Sequence, residues 1–107
     1  MTDYTLSFVF DPDVKRVLLI QKNRPAALAG NWNGIGGKIE ENEDPSVAAA
    51  RELMEEAGIE CDLRPFARVH IDTATGPVCI YCYYGIAPKF DDYKTLTDEL
   101  VRPAGLQ

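Results

Sequence analysis

One segment near the middle of the chain carries the signals of a helix with fixed ends. Asp44 is a good N-cap, Pro45 suits the first helical position, and Gly58 suits the position after the last turn. The residues between them are rich in Ala, Leu, Met and Glu, which favour helix. The sequence therefore predicts a helix over residues 45–57. Apolar residues at helical spacing predict its buried face, namely Val47, Ala50, Leu53, Met54 and Ala57.

Strand-like segments lie on both sides of this helix. Residues 5–10 and 17–21 flank turn residues at 11–13 and predict a hairpin. After the helix, strands are predicted at 59–62, 67–72 and 78–87, with a turn at 74–77 and a short strand near 93–96. This order predicts an α/β fold in which a mixed sheet carries the helix on one face. The tail from Lys89 predicts no second helix, so the other face is expected to be under-covered.

Length and charge limit the classes of function. A chain of 107 residues predicts a single domain over residues 1–107. The net charge is −6 and the eleven Lys and Arg residues are scattered, which argues against binding to nucleic acid polymers. No apolar run is long enough to span a membrane, and the N-terminus does not resemble a signal peptide, so a cytoplasmic protein is expected. An acidic protein that binds an anionic ligand needs an offsetting cation.

The three cysteines do not predict a disulfide or a zinc site. Cys79 and Cys82 lie in a strand-like run, where positions i and i+3 point to opposite faces, and Cys61 has no partner at a metal-binding spacing. Burial by packing is therefore the prediction for these thiols.

Three carboxylates on the predicted helix form one stripe. Glu52, Glu55 and Glu56 are spaced i, i+3 and i+4, and Arg51 is the only nearby cation, which we expect to be insufficient to balance them. A solvated acidic face is one interpretation; a set of hard oxygen ligands for Mg²⁺ or Mn²⁺ is the other. The adjacent residues at 36–38, Gly-Gly-Lys, allow the backbone to approach a metal or a phosphate and add a cation.

The combined spacing is more specific than its parts. Gly37 is followed after five residues by Glu43, and after seven more by the run Arg-Glu-Leu-Met-Glu-Glu-Ala-Gly-Ile at 51–59. This pattern resembles the Nudix box, G-x5-E-x7-R-E-U-x-E-E-x-G-U with U aliphatic, at every defined position.

The resemblance implies an α/β/α sandwich with a mixed sheet, and hydrolysis of a nucleoside diphosphate linked to a further group, with Mg²⁺ or Mn²⁺. It implies metal ligands at Glu52, Glu55, Glu56 and the Gly37 carbonyl. Glu43 and Arg51 would form a pair that holds the loop against the helix, and Glu52 or Glu55 would deprotonate the attacking water. Members of the family usually continue into a C-terminal helix, which this chain lacks a signal for.

Substrate contacts are expected outside the box. Lys38 and Lys22 are candidate phosphate contacts, and Arg24 is a weaker one. Residues 32–38 look like the segment of purine nucleoside triphosphate pyrophosphohydrolases that remove oxidised nucleotides, where the Asn, here Asn33, contacts the base. The alternatives are core packing for Trp32 and a turn role for Asn33. We interpret His70 as structural, while Asp98 or Glu99 could add a distal acidic group.

The leading hypothesis is hydrolysis of a purine or oxidised purine nucleoside triphosphate to a monophosphate and pyrophosphate. The enzymatic alternative is hydrolysis of ADP-ribose, a nucleotide sugar or a diadenosine polyphosphate. A remote alternative is a ligand sensor without turnover, but sensors of this family usually lose box carboxylates and this chain retains all three. The oligomeric state is not predicted by the sequence.

Overall fold

The computed structural model describes residues 2–23 and 30–106. Its elements are β1 (Thr2–Phe10), β2 (Arg16–Gln21), β3 (Trp32–Asn33), β4 (Ile35–Lys38), α1 (Pro45–Ala57), β5 (Arg64–Thr73), β6 (Gly76–Ile86), a 3₁₀ turn (Phe90–Asp92) and β7 (Val101–Gly105). The predicted α/β class is confirmed. No helix in the part of the chain described is both long and apolar enough to cross a membrane.

The strands form one mixed sheet, as predicted. Its main order is β3-β2-β1-β6-β5, with β4 paired to β1 and β7 paired to β2. The β1–β6 pair is parallel, and the other pairs are antiparallel. The predicted hairpin of β1 and β2 is present. Asp11 closes its turn, because its Oδ1 accepts hydrogen bonds from the backbone N–H groups of Lys15 and Arg16 at 2.7 and 2.9 Å.

The predicted ends of α1 are confirmed. The Asp44 side chain accepts a hydrogen bond from the N–H of Ser46, and Gly58 ends the helix in the left-handed region at φ 66°. The predicted buried face is wrong in part, because Val47, Ala50 and Met54 are exposed. The helix is instead rotated so that its carboxylate side meets β4. The buried residues are Ala48, Ala49, Leu53, Glu56 and Ala57.

Two strand predictions after the helix are confirmed with shifted ends, as β5 and β6, and two are wrong. Residues 59–62 form no strand, although Ile59 is buried in the core. Residues 93–96 form none because they cap α1: the N–H of Lys94 donates to the Ala57 carbonyl at 2.9 Å. The last strand, Val101–Gly105, was not predicted and pairs with β2.

The hydrophobic core lies between α1 and one face of the sheet. Leu53 of the helix packs there with Leu18, Ile20, Ile35 and Phe90. The opposite face is apolar and open, as expected, and the described ranges contain no second α-helix against it. Its exposed large residues on β1, β5 and β6 are Tyr4, Phe66, Val69, Ile71, Tyr84 and Ile86.

The cysteine prediction is confirmed for β6. Cys79 and Cys82 are both buried in this strand, and both are free thiols. Cys61 is also free and packs at the margin of the core.

Candidate metal and phosphate site

Two glycines of β4 allow an unusually close backbone approach. Gly36 lies opposite Leu6 of β1, and a Cβ on it would overlap the carbonyl oxygen of Thr5. A Cβ on Gly37 would lie 2.7 Å from the carboxyl carbon of Glu52. The first glycine therefore lets β4 lie against β1, and the second lets a helix carboxylate rest on the strand.

The three carboxylates of α1 differ in their surroundings. The Glu55 side chain is 54% exposed and the Glu52 side chain 15% exposed. Glu56 is buried at 6% exposure, and its Oε1 has no hydrogen-bond partner. Burial and the neighbouring Glu52 carboxyl raise the pKa of Glu56 to about 8. A buried carboxylate oxygen without a donor is costly, so this position favours a cation.

The Arg51 guanidinium contacts the acidic side chains of Glu43, Glu52 and Glu55. Its Nε and Nη2 donate to the two carboxylate oxygens of Glu43 at 2.7 and 2.9 Å, a bidentate pair. Its Nη1 lies 2.9 Å from Glu52 and 3.2 Å from Glu55. Arg51 therefore contacts two carboxylates of the stripe, since residues 51 and 55 are one helical turn apart. One guanidinium shared with Glu43 does not balance all three, as expected, and the Glu56 Oε1 has no partner. Arg51 also donates to the Lys38 carbonyl at 3.3 Å, which ties β4 to the helix.

The residues present suit a divalent cation, although the side chains are not arranged around one point. Among residues 2–23 and 30–106, no three His, Cys, Asp or Glu side chains converge in a metal-holding group. Glu52 and Glu55 are turned toward Arg51 instead. The unpartnered oxygen of Glu56 and the Gly37 backbone under Glu52 nevertheless form a hard oxygen set of the kind that Mg²⁺ and Mn²⁺ prefer. A cleft of about 890 Å³ is lined by Glu52, Glu55 and Lys38.

A second cavity of about 500 Å³ adjoins this cleft. It brings together three predicted substrate residues, Lys22, Asn33 and Lys38, and Lys38 lines both cavities. Its apolar wall is formed by Tyr4, Leu6 and Ile80. The sequence did not identify Tyr4 or Ile80 as pocket residues, because their adjacency depends on the parallel β1–β6 register.

Several other predicted residues can be placed. The Lys22 Nζ lies 3.2 Å from Glu99, which is buried and also accepts from the N–H of Asn23. Trp32 is 42% exposed, so plain core packing is wrong for it. The Asn33 Oδ1 accepts from the N–H of Gly34 at 2.8 Å, a local bond typical of a turn residue. His70 is exposed on β5, and Arg24 lies outside the described residues.

The bidentate pair of Glu43 and Arg51 leads to a stability prediction. The pKa of Glu43 is lowered to about 2 by hydrogen bonds from Arg51 and from the backbone of Glu40. The pair therefore contributes stability above pH 4.5, and this contribution is lost as the pH falls from 4.5 toward 2. We expect Glu43→Gln to lower the melting temperature at neutral pH, with or without Mg²⁺, and to flatten the acid dependence.

The measurement is the melting temperature of wild type and variant across that pH range. Glu41→Gln, which changes an exposed carboxylate of the same loop, is the matched control. An equal loss of stability in both variants, or an unchanged acid dependence in Glu43→Gln, would contradict the prediction.

Comparison with known proteins places this chain in a family. The NUDIX domain model matches residues 3–100, and the chain therefore belongs to the Nudix family. A crystal structure of the MutT NUDIX hydrolase from Burkholderia pseudomallei has the same fold, with a TM-score of 0.80 and 22% identity over 97% of this chain and 82% of that one.

Two curated relatives are closer in sequence. The oxidized purine nucleoside triphosphate hydrolase of Mus musculus is 49% identical over 59 residues, which are 55% of this chain and 36% of that protein. The putative 8-oxo-dGTP diphosphatase 2 of Mycobacterium tuberculosis is 40% identical over 86 residues, and the match covers 75% of this chain and 61% of that protein. The chain thus spans between about a third and three-fifths of the length of these relatives.

Proposed function

We propose that this chain hydrolyses a purine or oxidised purine nucleoside triphosphate to a nucleoside monophosphate and pyrophosphate, with Mg²⁺ or Mn²⁺. The observation that carries the proposal is the buried, unpartnered Glu56 oxygen next to Glu52. Glu52 in turn lies against Gly37, which lines the pocket that contains Asn33. The activities named for the two curated relatives, on oxidized purine nucleoside triphosphates and 8-oxo-dGTP, support the choice of substrate.

The residues divide the chemistry as follows. Glu52, Glu55, Glu56 and the Gly37 carbonyl would hold a divalent cation, which would neutralise charge on the phosphate oxygens and lower the pKa of bound water. Glu52 or Glu55 accepts the proton of the attacking water.

Cations of the protein complete the phosphate site. Lys38 stands where the two cavities meet, so its ammonium group reaches phosphate oxygens from the nucleoside side. Lys22 also lines the second cavity and contributes a second ammonium group. Arg51 acts as a positioning residue, because it fixes Glu43, Glu52 and Glu55 relative to one another.

The second cavity suits a base. Tyr4, Leu6 and Ile80 offer an apolar surface to a planar ring, and the Asn33 amide offers both a donor and an acceptor to a purine edge. The free thiols and the acidic surface suit a cytoplasmic protein that acts on small nucleotides rather than on a nucleic acid polymer or a membrane.

A substrate panel tests the proposal. We expect 8-oxo-dGTP and dGTP to be hydrolysed with release of pyrophosphate, at a higher kcat/KM than ADP-ribose or a diadenosine polyphosphate, and we expect excess EDTA to abolish turnover. Release of phosphate instead of pyrophosphate, preference for ADP-ribose, or full turnover in EDTA would each refute it. Binding of nucleotide without any turnover would identify a sensor.

The same panel tests the pocket through Asn33→Ala. We expect this change to alter the ratio of kcat/KM values between oxidised and unmodified bases, while the Mg²⁺ dependence stays as in wild type. Asn31→Ala, an exposed neighbour of the same residue type, is the control. An Asn33→Ala variant with unchanged base preference would remove Asn33 from the base site.

A further inference from the structure

The outer edge of β5 is open to another strand. All ten residues from Arg64 to Thr73 are exposed, and β5 ends the strand order of the sheet in the ranges that the structure describes. An edge strand presents a row of unpaired N–H and C=O groups that can pair with a further chain. Pro65 and the irregular register between Pro65 and Ala67 interrupt pairing at the start of β5, which leaves residues 67–73 as a regular edge.

The side chains of this edge divide into a charged face and an apolar face. Arg68 lies on the same side of the sheet as Tyr81, with its guanidinium 4.9 Å from the centre of that ring. Because strand side chains alternate, Asp72 lies on the side of Arg68, and Val69 and Ile71 lie on the other. Val69 and Ile71 are 41% and 43% exposed and belong to the open apolar face.

We propose that β5 pairs in antiparallel register with β5 of a second copy of this chain, with His70 on the two-fold axis. In this register, facing residues lie at equal distances from His70 on the two strands. Each Arg68 therefore faces the Asp72 of the other copy, and each Val69 faces the other Ile71. Two opposite-charge pairs and two apolar pairs form on their respective faces, and each type stabilises an antiparallel sheet. The result is a closed, self-complementary interface.

The charge arrangement selects a second copy as the occupant. The net charge of −6 opposes association of two copies, so a self-pairing strand needs attractive pairs of its own. Arg68 and Asp72 provide two of them only in the antiparallel pairing centred on His70. One seven-residue strand pairing is small, so self-association should be weak and concentration-dependent. The interface lies away from β4 and α1, and the proposal does not rest on the proposed function.

Charge reversal on the full chain provides the test. Sedimentation equilibrium from about 1 µM to about 500 µM should show wild type in a monomer–dimer equilibrium. Arg68→Asp and Asp72→Arg should each weaken self-association roughly 10- to 100-fold, because each change alone places like charges opposite each other. An equimolar mixture of the two variants should dimerise again, since opposite charges then face each other at both positions.

Arg64→Asp is the matched control. It makes the same charge change on the same strand, but residue 64 lies before the interruption at Pro65 and so outside the proposed pairing. Among the ion pairs of the described residues, the Arg64 side chain pairs only with Asp62, at 3.3 Å. Its dimerisation should match that of wild type. A wild type that stays monomeric throughout, a mixture that stays monomeric, or an Arg64→Asp variant as monomeric as Arg68→Asp would overturn the proposal.

Discussion

Replacing Glu56 by Gln should reduce kcat by roughly 10²–10³ while it stabilises the metal-free protein. The substitution keeps the size of the side chain but removes a charge that the proposed cation needs. In the absence of metal the same charge is unfavourable, because the carboxylate is buried and one of its oxygens has no partner. Activity and stability should therefore change in opposite directions.

The pH dependence of stability isolates this effect. The pKa of Glu56 is about 8 in the folded protein against an ordinary 4.5, so the folded state retains a proton that the unfolded chain releases. Stability of the metal-free protein should then fall as the pH rises from 4.5 to 8, by up to about 5 kcal/mol for this group. Glu56→Gln should remove this dependence of stability on pH.

The measurement combines melting temperatures in EDTA across this pH range with kcat in Mg²⁺. Glu55→Gln is the control, because Glu55 is half exposed and interacts with Arg51 rather than with the core. It should lose activity without changing the pH dependence. If Glu56→Gln retains near-normal kcat while Glu43→Gln abolishes it, the division of roles within the box is wrong.

The helix could be predicted from sequence because its ends depend on local chemistry. Asp44 and Gly58 act through hydrogen bonds and backbone angles within a few residues, and these signals do not depend on the rest of the fold. The buried face of the helix is a different kind of property. Val47 and Met54 are apolar but exposed, and Glu56 is ionisable but buried. The side of the helix that faces β4, where Glu52 lies against Gly37, belongs to the tertiary fold and not to the helix sequence alone.

The strand errors have a similar origin. Residues 59–62 have the composition of a strand, but Ile59 packs into the core without a neighbouring strand to pair with. β7 contains Pro103 and Gly105, which disfavour strand, yet it pairs with β2 along its whole length. In both cases the tertiary fold determines whether a strand forms, because it does or does not supply a neighbouring strand to pair with. A single sequence does not show which strands are neighbours.

The candidate site shows the same division between local and long-range information. The grouping of Glu43, Arg51 and the helix glutamates could be predicted from their spacing, because these residues lie on one continuous loop and helix. Tyr4 and Ile80 are 76 positions apart in sequence, and they share a pocket only because β1 and β6 are parallel neighbours in that register. The base pocket could therefore be anticipated only in outline.

The two glycines of β4, Gly36 and Gly37, should respond to alanine in opposite ways. In Gly36→Ala the new methyl group would overlap the backbone carbonyl of Thr5, so β4 must move away from β1. We expect a loss of about 3 kcal/mol or more, a fall in melting temperature of more than about 10 °C. In Gly37→Ala the obstacle is the Glu52 carboxylate at 2.7 Å, a side chain that can turn.

Gly37→Ala should therefore keep most of its stability and lose turnover, by roughly 10²-fold, because Glu52 is displaced from the position proposed for a metal ligand. The measurements are the melting temperature in EDTA and kcat in saturating Mg²⁺ for both variants. Gly105→Ala, where a Cβ meets no atom within 4 Å, should match wild type in both. A Gly37→Ala variant as unstable as Gly36→Ala would show that its glycine serves the strand rather than the carboxylate, and a fully active one would remove the contact with Glu52 from the mechanism.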